Sequence, residues 1–239
     1  MVRDLIPYTL LALFSIPLLC AASRWQPMDT GVIIPDVLFT IRTRNNNFFI
    51  LNQDNHIICI DAGYRNTKKI NVPFEFEKLG INPDSVECVF LTHTDMDHTG
   101  GLDLIRNAKI YLGSAEEQMI TRKTARMGLY YNKILPREYV PLEDGEIVNI
   151  GSIKVQTIFC PGHTPGSVSY LVNDSILFTG DNLRLENGKV HIFFKAVNMD
   201  SKRQGDSIMK LAKFTGIKLM CTAHTGCSND FDKAFEGWR

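Results

Sequence analysis

From residue 37 onward, apolar positions fall in short runs separated by turn-forming residues, the spacing of strands rather than of long helices. VLFTI (37–41), FFIL (48–51) and HIICID (56–61), divided by the polar RNNN and NQDN, predict a β-meander. FEFEKLG (74–80) has helical composition and a closing glycine, and VECVFLT (86–92) follows as a buried strand ending at Thr92. GGLDLIRN (100–107) predicts a helix and AKIYLG (108–113) a strand. SAEEQMITRKTARM (114–127) predicts a further helix, opened by Ser114 with Glu117 three residues on. GLYYNKILPRE (128–138) has no period and is expected to be a loop. Alternation resumes in EIVNI, IKVQTIF, SVSYLV and SILFTGD, and a helix over 201–214 precedes the strand IKLMCTAH. Two β-rich halves, each closed by helical segments, imply an α+β fold: an αββα sandwich of two mixed sheets with helices outside.

A chain of 239 residues, 44% hydrophobic and 22% charged, can bury a full core, and residues 23–239 are expected to form one domain. Its 26 basic and 26 acidic residues cancel, which removes any global field for a nucleic acid or an acidic surface; the small-molecule substrate expected as partner follows from the site chemistry below. Residues 5–22 are uncharged and end in Cys20, Ala21 and Ala22. They are expected to be a signal peptide or membrane anchor, making the protein exported: secreted, periplasmic or attached to a membrane. The six cysteines are spread without close pairing, so no disulfide framework is expected.

Four of the six histidines directly follow apolar strand-like runs. VFLTHTDMDHTGG carries His93, Asp95, Asp97 and His98; FCPGHTPGS carries His163, LFTGD carries Asp181, and CTAHTG carries His224. One such residue alone would be a cap or a solvated side chain; seven together point to metal ligation. Alternate residues of an extended segment share a face, so His93 and Asp95 can address one ion while the following turn sends Asp97 and His98 to another. Asp181, arriving from a separate strand, can bridge the pair. His56 is expected in an exposed turn and His191 in a strand. Cys227 is either a soft ligand, a redox thiol or a plain loop residue, and Tyr130 and Tyr131 either touch substrate or pack over the core.

THTDMDHTGG resembles the HxHxDH motif of the metallo-β-lactamase superfamily, and the resemblance extends over 37–226. It implies two divalent metal ions, one held by His93, position 95 and His163, the other by Asp97, His98 and His224, with Asp181 shared. Asp61 in IICIDAG matches a strand-end aspartate that supports the metal loop without ligating. Asp95 departs from the family, which usually has His there. With Asp95 the site's three carboxylates and a hydroxide would cancel the four charges of two divalent ions, and oxygen-rich ligation shifts preference from zinc toward iron or manganese. The expected activity is hydrolysis of an ester, lactone, thioester or phosphoester by a metal-held hydroxide, with Asp97 orienting the nucleophile. Two alternatives stand beside it: a di-iron or mono-iron redox protein resembling the flavodiiron core without its flavodoxin domain, and a metal-binding protein without turnover.

Overall fold

Two tight turns start the architecture. Asp54 and Asn55 both have positive φ, 51° and 67°, the backbone that lets a two-residue loop follow strand twist. They join β3 (Asn46–Gln53) to β4 (His56–Ile60), while Arg44 at φ 62° turns β2 (Leu38–Thr43) into β3. The computed structural model describes residues 25–126 and 128–239; the apolar stretch over 5–22 lies outside them. β1 (Gly31–Ile34) pairs with β2 to complete an antiparallel run.

Beyond β4 the first sheet changes character. α1 (Val72–Lys78) leads to β5 (Cys88–Leu91), followed by β6 (Lys109–Gly113) and β7 (Tyr139–Leu142), and each pairs in parallel, giving the order β1-β2-β3-β4-β5-β6-β7. The second sheet holds β8 (Ile147–Ile150), β9 (Ile153–Phe159), β10 (Val168–Val172), β11 (Ile176–Phe178), β14 (Leu219–Cys221) and β15 (Cys227–Ser228), in the order β15-β14-β11-β10-β9-β8. Between β11 and its parallel neighbour β14 come the hairpin of β12 (Arg184–Glu186) and β13 (Lys189–His191), then α4 (Ser201–Leu211). Short helices α2 (Met96–Thr99), α3 (Glu117–Ile120) and α5 (Phe231–Ala234) complete the described elements.

The core lies in three slabs. Phe49, Phe90, Tyr170 and Phe178 pack between the sheets. Phe48, Phe76 and Val89 fill the space under α1, and Leu171, Ile208, Leu211 and Phe235 fill that under α4 and α5. The layers are therefore helix, sheet, sheet, helix, an αββα sandwich, and each strand is buried against one slab or two. No helix among the described residues is long and apolar enough to cross a membrane.

Three local expectations are corrected. Residues 100–107 form successive turns, not a helix. A Cβ at Gly101 would lie 2.1 Å from the Ala62 carbonyl, so this backbone is pressed against the end of β4, and the carbonyls of Leu102, Ile105 and Ala108 accept from Arg137 instead of from a helical ladder. In 114–127, helix is confined to a 3-10 turn at Ser114–Glu116 and to α3, and the Ser114 hydroxyl caps nothing. The reason is Glu116, which is turned inward and fully buried. Finally, Cys221 and Cys227 stand opposite each other on β14 and β15 and form a disulfide, so Cys227 is not a ligand. Cys59, Cys88 and Cys160 are free and buried as small hydrophobes.

The disulfide closes the hairpin that carries His224. Cys227→Ser is expected to lower unfolding free energy by about 2 kcal/mol, the loop-closure value for so short a ring, in denaturant titrations followed by tryptophan fluorescence. No change in the midpoint would mean that β14–β15 pairing alone holds the hairpin.

Candidate metal centre

The residues singled out in the sequence arrive at one edge of the sandwich because each follows the C-terminal end of a strand. Asp61 leaves β4, His93 and Asp95 leave β5, His163 leaves β9, Asp181 leaves β11 and His224 leaves β14; α2 delivers Asp97 and His98. All four histidines are at most 2% exposed. Their ligand atoms fall into three overlapping groups: His93 with Asp95 and His163, His93 with His98 and Asp181, and Asp97 with His98 and His224, the atoms of each group lying within 4.8 Å of one another.

Each imidazole is fixed by its Nδ1. His98 Nδ1 lies 2.8 Å from Asp61 Oδ2, His224 Nδ1 2.6 Å from the Asn45 carbonyl, His163 Nδ1 3.1 Å from Asn198 Oδ1, and His93 Nδ1 3.1 Å from Thr92 Oγ1. Held this way, each ring turns Nε2 toward the shared space. Asp181 divides its oxygens between the two sides. Oδ1 is 3.5 Å from His98 Nε2 and 3.2 Å from His224 Nε2, and Oδ2 is 3.4 Å from His163 Nε2. Asp97 Oδ2 is 3.4 Å from His224 Nε2.

The residues fit a cation. His93 Nε2, His98 Nε2 and Asp181 Oδ1 are buried and have no hydrogen-bond partner, a cost that an ion among them removes. Among these groups alone, burial opposes charge on His98, yet Asp61, Asp181 and Asp97 outweigh it and hold its pKa well above the ordinary value. His224, likewise buried, is pushed up to about 10 by Asp181 and Asp97. His93 is lowered by burial and by the neighbouring His98. Burial would raise Asp181, but His224, His98 and His163 hold it well below the carboxylate range. The site is a dense anionic nest already calling for positive charge.

Asp61 does not face the cluster. Its carboxylate accepts from the Thr92 amide at 2.8 Å, from the Thr92 hydroxyl, and pairs with His98 Nδ1, so it orients rather than ligates. His56 pairs with Glu87 at 2.9 Å and His191 lies on β13; both are away from the site.

Three side chains absent from the sequence expectation shape the site. Arg126, 7% exposed, pairs with Asp95 Oδ2 at 2.9 Å and donates to the carbonyls of His163 and Val197. Asn132 donates to Asp95 Oδ1 at 3.2 Å. Glu116 accepts from the Thr94 amide and hydroxyl, the Thr164 hydroxyl and the Gly166 amide, lashing the His93 loop to the His163 loop. Glu116 and Arg126 lie in 114–127, which reads as a helix that would turn its charges to solvent, and Asn132 lies in 128–138, where the sequence carries no period to reveal an inward side chain. Over them, Tyr130 and Tyr131 are 68% and 56% exposed at the mouth and do not pack into the core. Trp25 stacks near His224, ring centres 5.2 Å apart, and its buried Nε1 has no partner. The cavity above the cluster measures about 450 Å³ and is lined by Trp25, Tyr64, Arg126, Tyr130, Tyr131 and the ligand-type residues.

Residues 41–211 match the model of the metallo-β-lactamase superfamily. The chain belongs to this superfamily. It is 28% identical over 172 residues to a probable metallo-hydrolase of Bacillus subtilis, YqgX, covering 69% of this chain and 73% of that one. It is 32% identical over 151 residues to a hydroxyacylglutathione hydrolase of Dictyostelium discoideum, covering 58% of this chain and 48% of that one, so the chain spans about half the length of that relative. A metallo-β-lactamase family protein from Thermus thermophilus superposes with a TM-score of 0.68 at 19% identity, covering 86% of this chain and 79% of that one, which speaks for the fold. Family and relatives place the chain in the metallo-hydrolase class.

Burial outweighs the hydrogen bonds to Glu116 and pushes its pKa up to about 7. A carboxyl raised on folding contributes stability below its unfolded pKa and loses it as pH rises through the folded value. Relative to Glu116→Gln, the wild type is therefore expected to lose about 3 kcal/mol of stability between pH 4.5 and pH 8, read from paired denaturation series. A pH-independent difference would show that its four donors hold the carboxylate ionised throughout.

Proposed function

We propose that this protein is a zinc-dependent hydrolase of ester or thioester substrates that carry an anionic group, with Asp97, His98, His224 and Asp181 holding metal and His93, Asp95 and His163 forming the adjoining position. The unpartnered buried atoms His93 Nε2, His98 Nε2 and Asp181 Oδ1, gathered under an open cavity, carry this reading. Zinc is favoured by relatives named as zinc-dependent hydrolases in Bacillus polyketide biosynthesis, the first 31% identical over 136 residues. The ion would supply a Lewis acid that makes bound water more acidic and polarises the acyl oxygen.

The chain's own groups do the rest. Asp97 lies beside His224 with its side chain 17% exposed, placed to orient the attacking water and accept its proton. Tyr64 borders the cavity, and burial together with Asp97 raises its pKa, so it stays a neutral donor for a substrate oxygen. A second hollow of about 630 Å³ continues from the first past Tyr64, Met96, Thr99 and Lys133. Arg44, Arg65, Lys69 and Lys133 line it against one carboxylate, Asp103, and none of the four cations makes an ion pair among the described residues. That surplus favours a substrate with a carboxylate or phosphate distant from the scissile bond. The iron reading drew on Asp95 alone, and that carboxylate is engaged by Arg126 and Asn132. We also place the protein in an oxidising, extracytoplasmic compartment, a reading supported by the uncharged 5–22 segment and the Cys221–Cys227 bond.

The purified chain is expected to hydrolyse aryl esters and acyl thioesters, to lose this on chelation and to regain it with zinc; oxygen consumption by an iron-loaded form without hydrolysis would overturn the reading. His98→Ala is expected to fall to the chelated background. Lys133→Ala is expected to raise KM about fivefold for a carboxylate-bearing substrate and leave it unchanged for a neutral one, as a half-solvated charge contact requires.

A further inference from the structure

The two halves of the ligand cluster differ in what already touches them. On the side of Asp97, His98 and His224, polar atoms are left unpartnered. On the side of Asp95 and His163 only His93 Nε2 is left so, and both Asp95 oxygens are engaged. Asp95 Oδ2 lies 2.9 Å from Arg126 Nη2 and Oδ1 accepts from Asn132 Nδ2 at 3.2 Å. Asn198 Oδ1 is an acceptor, since it also takes a hydrogen bond from Gln204 Nε2. With its Nδ1 proton facing Asn198, a neutral His163 presents a lone pair at Nε2, which lies 3.2 Å from Asp95 Oδ2. Arg126 Nη2 stands 3.3 Å from that lone pair. The guanidinium is itself clamped, Nη1 donating to the His163 carbonyl and Nη2 to the Val197 carbonyl, both at 2.7 Å.

Resting on the reading of this cluster as a metal centre, we propose that the Arg126 guanidinium, not a second metal ion, is the resident cation of the first position, and that the protein binds one metal ion tightly. Charge supports it. With neutral water bound, Asp95, Asp97 and Asp181 supply three negative charges, which Arg126 and one divalent ion balance. A second divalent ion would place two further positive charges beside a buried guanidinium. His93 is not stranded by this arrangement. Its unpartnered Nε2 groups with His98 and Asp181 as well as with Asp95, so it serves the occupied position. Arg126 then does electrostatically what the first ion does elsewhere: it holds positive charge beside the reacting centre without supplying a coordination site.

The test is stoichiometry, not turnover. Metal-stripped full-length chain is titrated with zinc against a chromophoric chelator, and metal per chain is counted by mass spectrometry after gel filtration. Wild type is expected to take one equivalent tightly, with any second at least 100-fold weaker. Arg126→Met keeps the aliphatic stem, removes the charge and is expected to take two equivalents; Arg126→Lys, which keeps the charge, is expected to stay at one. Wild type binding two ions within tenfold of each other overturns the proposal, as does Arg126→Met remaining at one. Should Arg126→Met fail to fold, the wild-type count alone decides. Binding of no metal by any form would instead overturn the metallo-hydrolase reading on which this one stands.

Discussion

The Asp61 carboxylate is the joint on which the site is assembled. It sits in a left-handed turn, φ 62°, just past β4, and reaches sideways to the end of β5, where both the amide and the hydroxyl of Thr92 donate to it. Its second oxygen meets His98 Nδ1 at 2.8 Å. One buried group thus fixes the relative ends of two parallel strands and the orientation of an imidazole on α2. The opposing sheet closes onto the same point. A Cβ at Gly180, φ 52°, would lie 2.4 Å from the Thr92 hydroxyl, so only glycine lets the segment that brings Asp181 approach this joint. Asp61 also favours positive charge on His98, which burial alone would disfavour.

The remaining ligand-type side chains repeat the arrangement with weaker partners. His224 rests on the Asn45 carbonyl, and Asn46 donates to the Asp97 carbonyl at 2.5 Å, so the asparagine run after β2 supports the floor of the site as well as turning a hairpin. Glu116 ties the His93 and His163 loops from beneath. Because these supports come from backbone carbonyls and buried side chains on the sandwich itself, the cluster geometry is set by folding and does not wait for a ligand.

What could be read in the sequence follows the range of the interactions. Most strands were legible because alternation and apolar runs are local, though β1, β7 and β12 were not named, and the cluster was legible because His93, Asp95, Asp97 and His98 are neighbours while His163, Asp181 and His224 each follow a recognisable strand end. The same locality explains the failures. Glu116 and Arg126 look like solvent charges of a helix, and only the tertiary path of 114–127 turns them inward. The Cys221–Cys227 bond depends on β15, two residues long and too short to leave a pattern. The path of residues 100–107 was hidden for a related reason: they carry helical composition, but the Leu102 and Ile105 carbonyls are satisfied by Arg137, thirty residues or more along the chain.

The division between rigid and adaptable parts also bears on selection. Catalytic-type groups occupy strand ends, whereas the rim consists of Met96 at 65% exposure and of Leu129, Tyr130, Tyr131 and Ile134, all exposed within a loop of low regularity. So much apolar surface at one mouth is costly unless something covers it. Met96 and Ile134 of this rim also line the adjoining hollow with its cations Arg44, Arg65, Lys69 and Lys133. A ligand that satisfies both must be apolar near the cluster and anionic away from it. Such a ligand would bury the tyrosines, pair with Lys133 or Arg65, and bring its carbonyl over Asp97, so that binding energy gathered at the rim is spent on placing the scissile bond where the strand ends have fixed the chemistry.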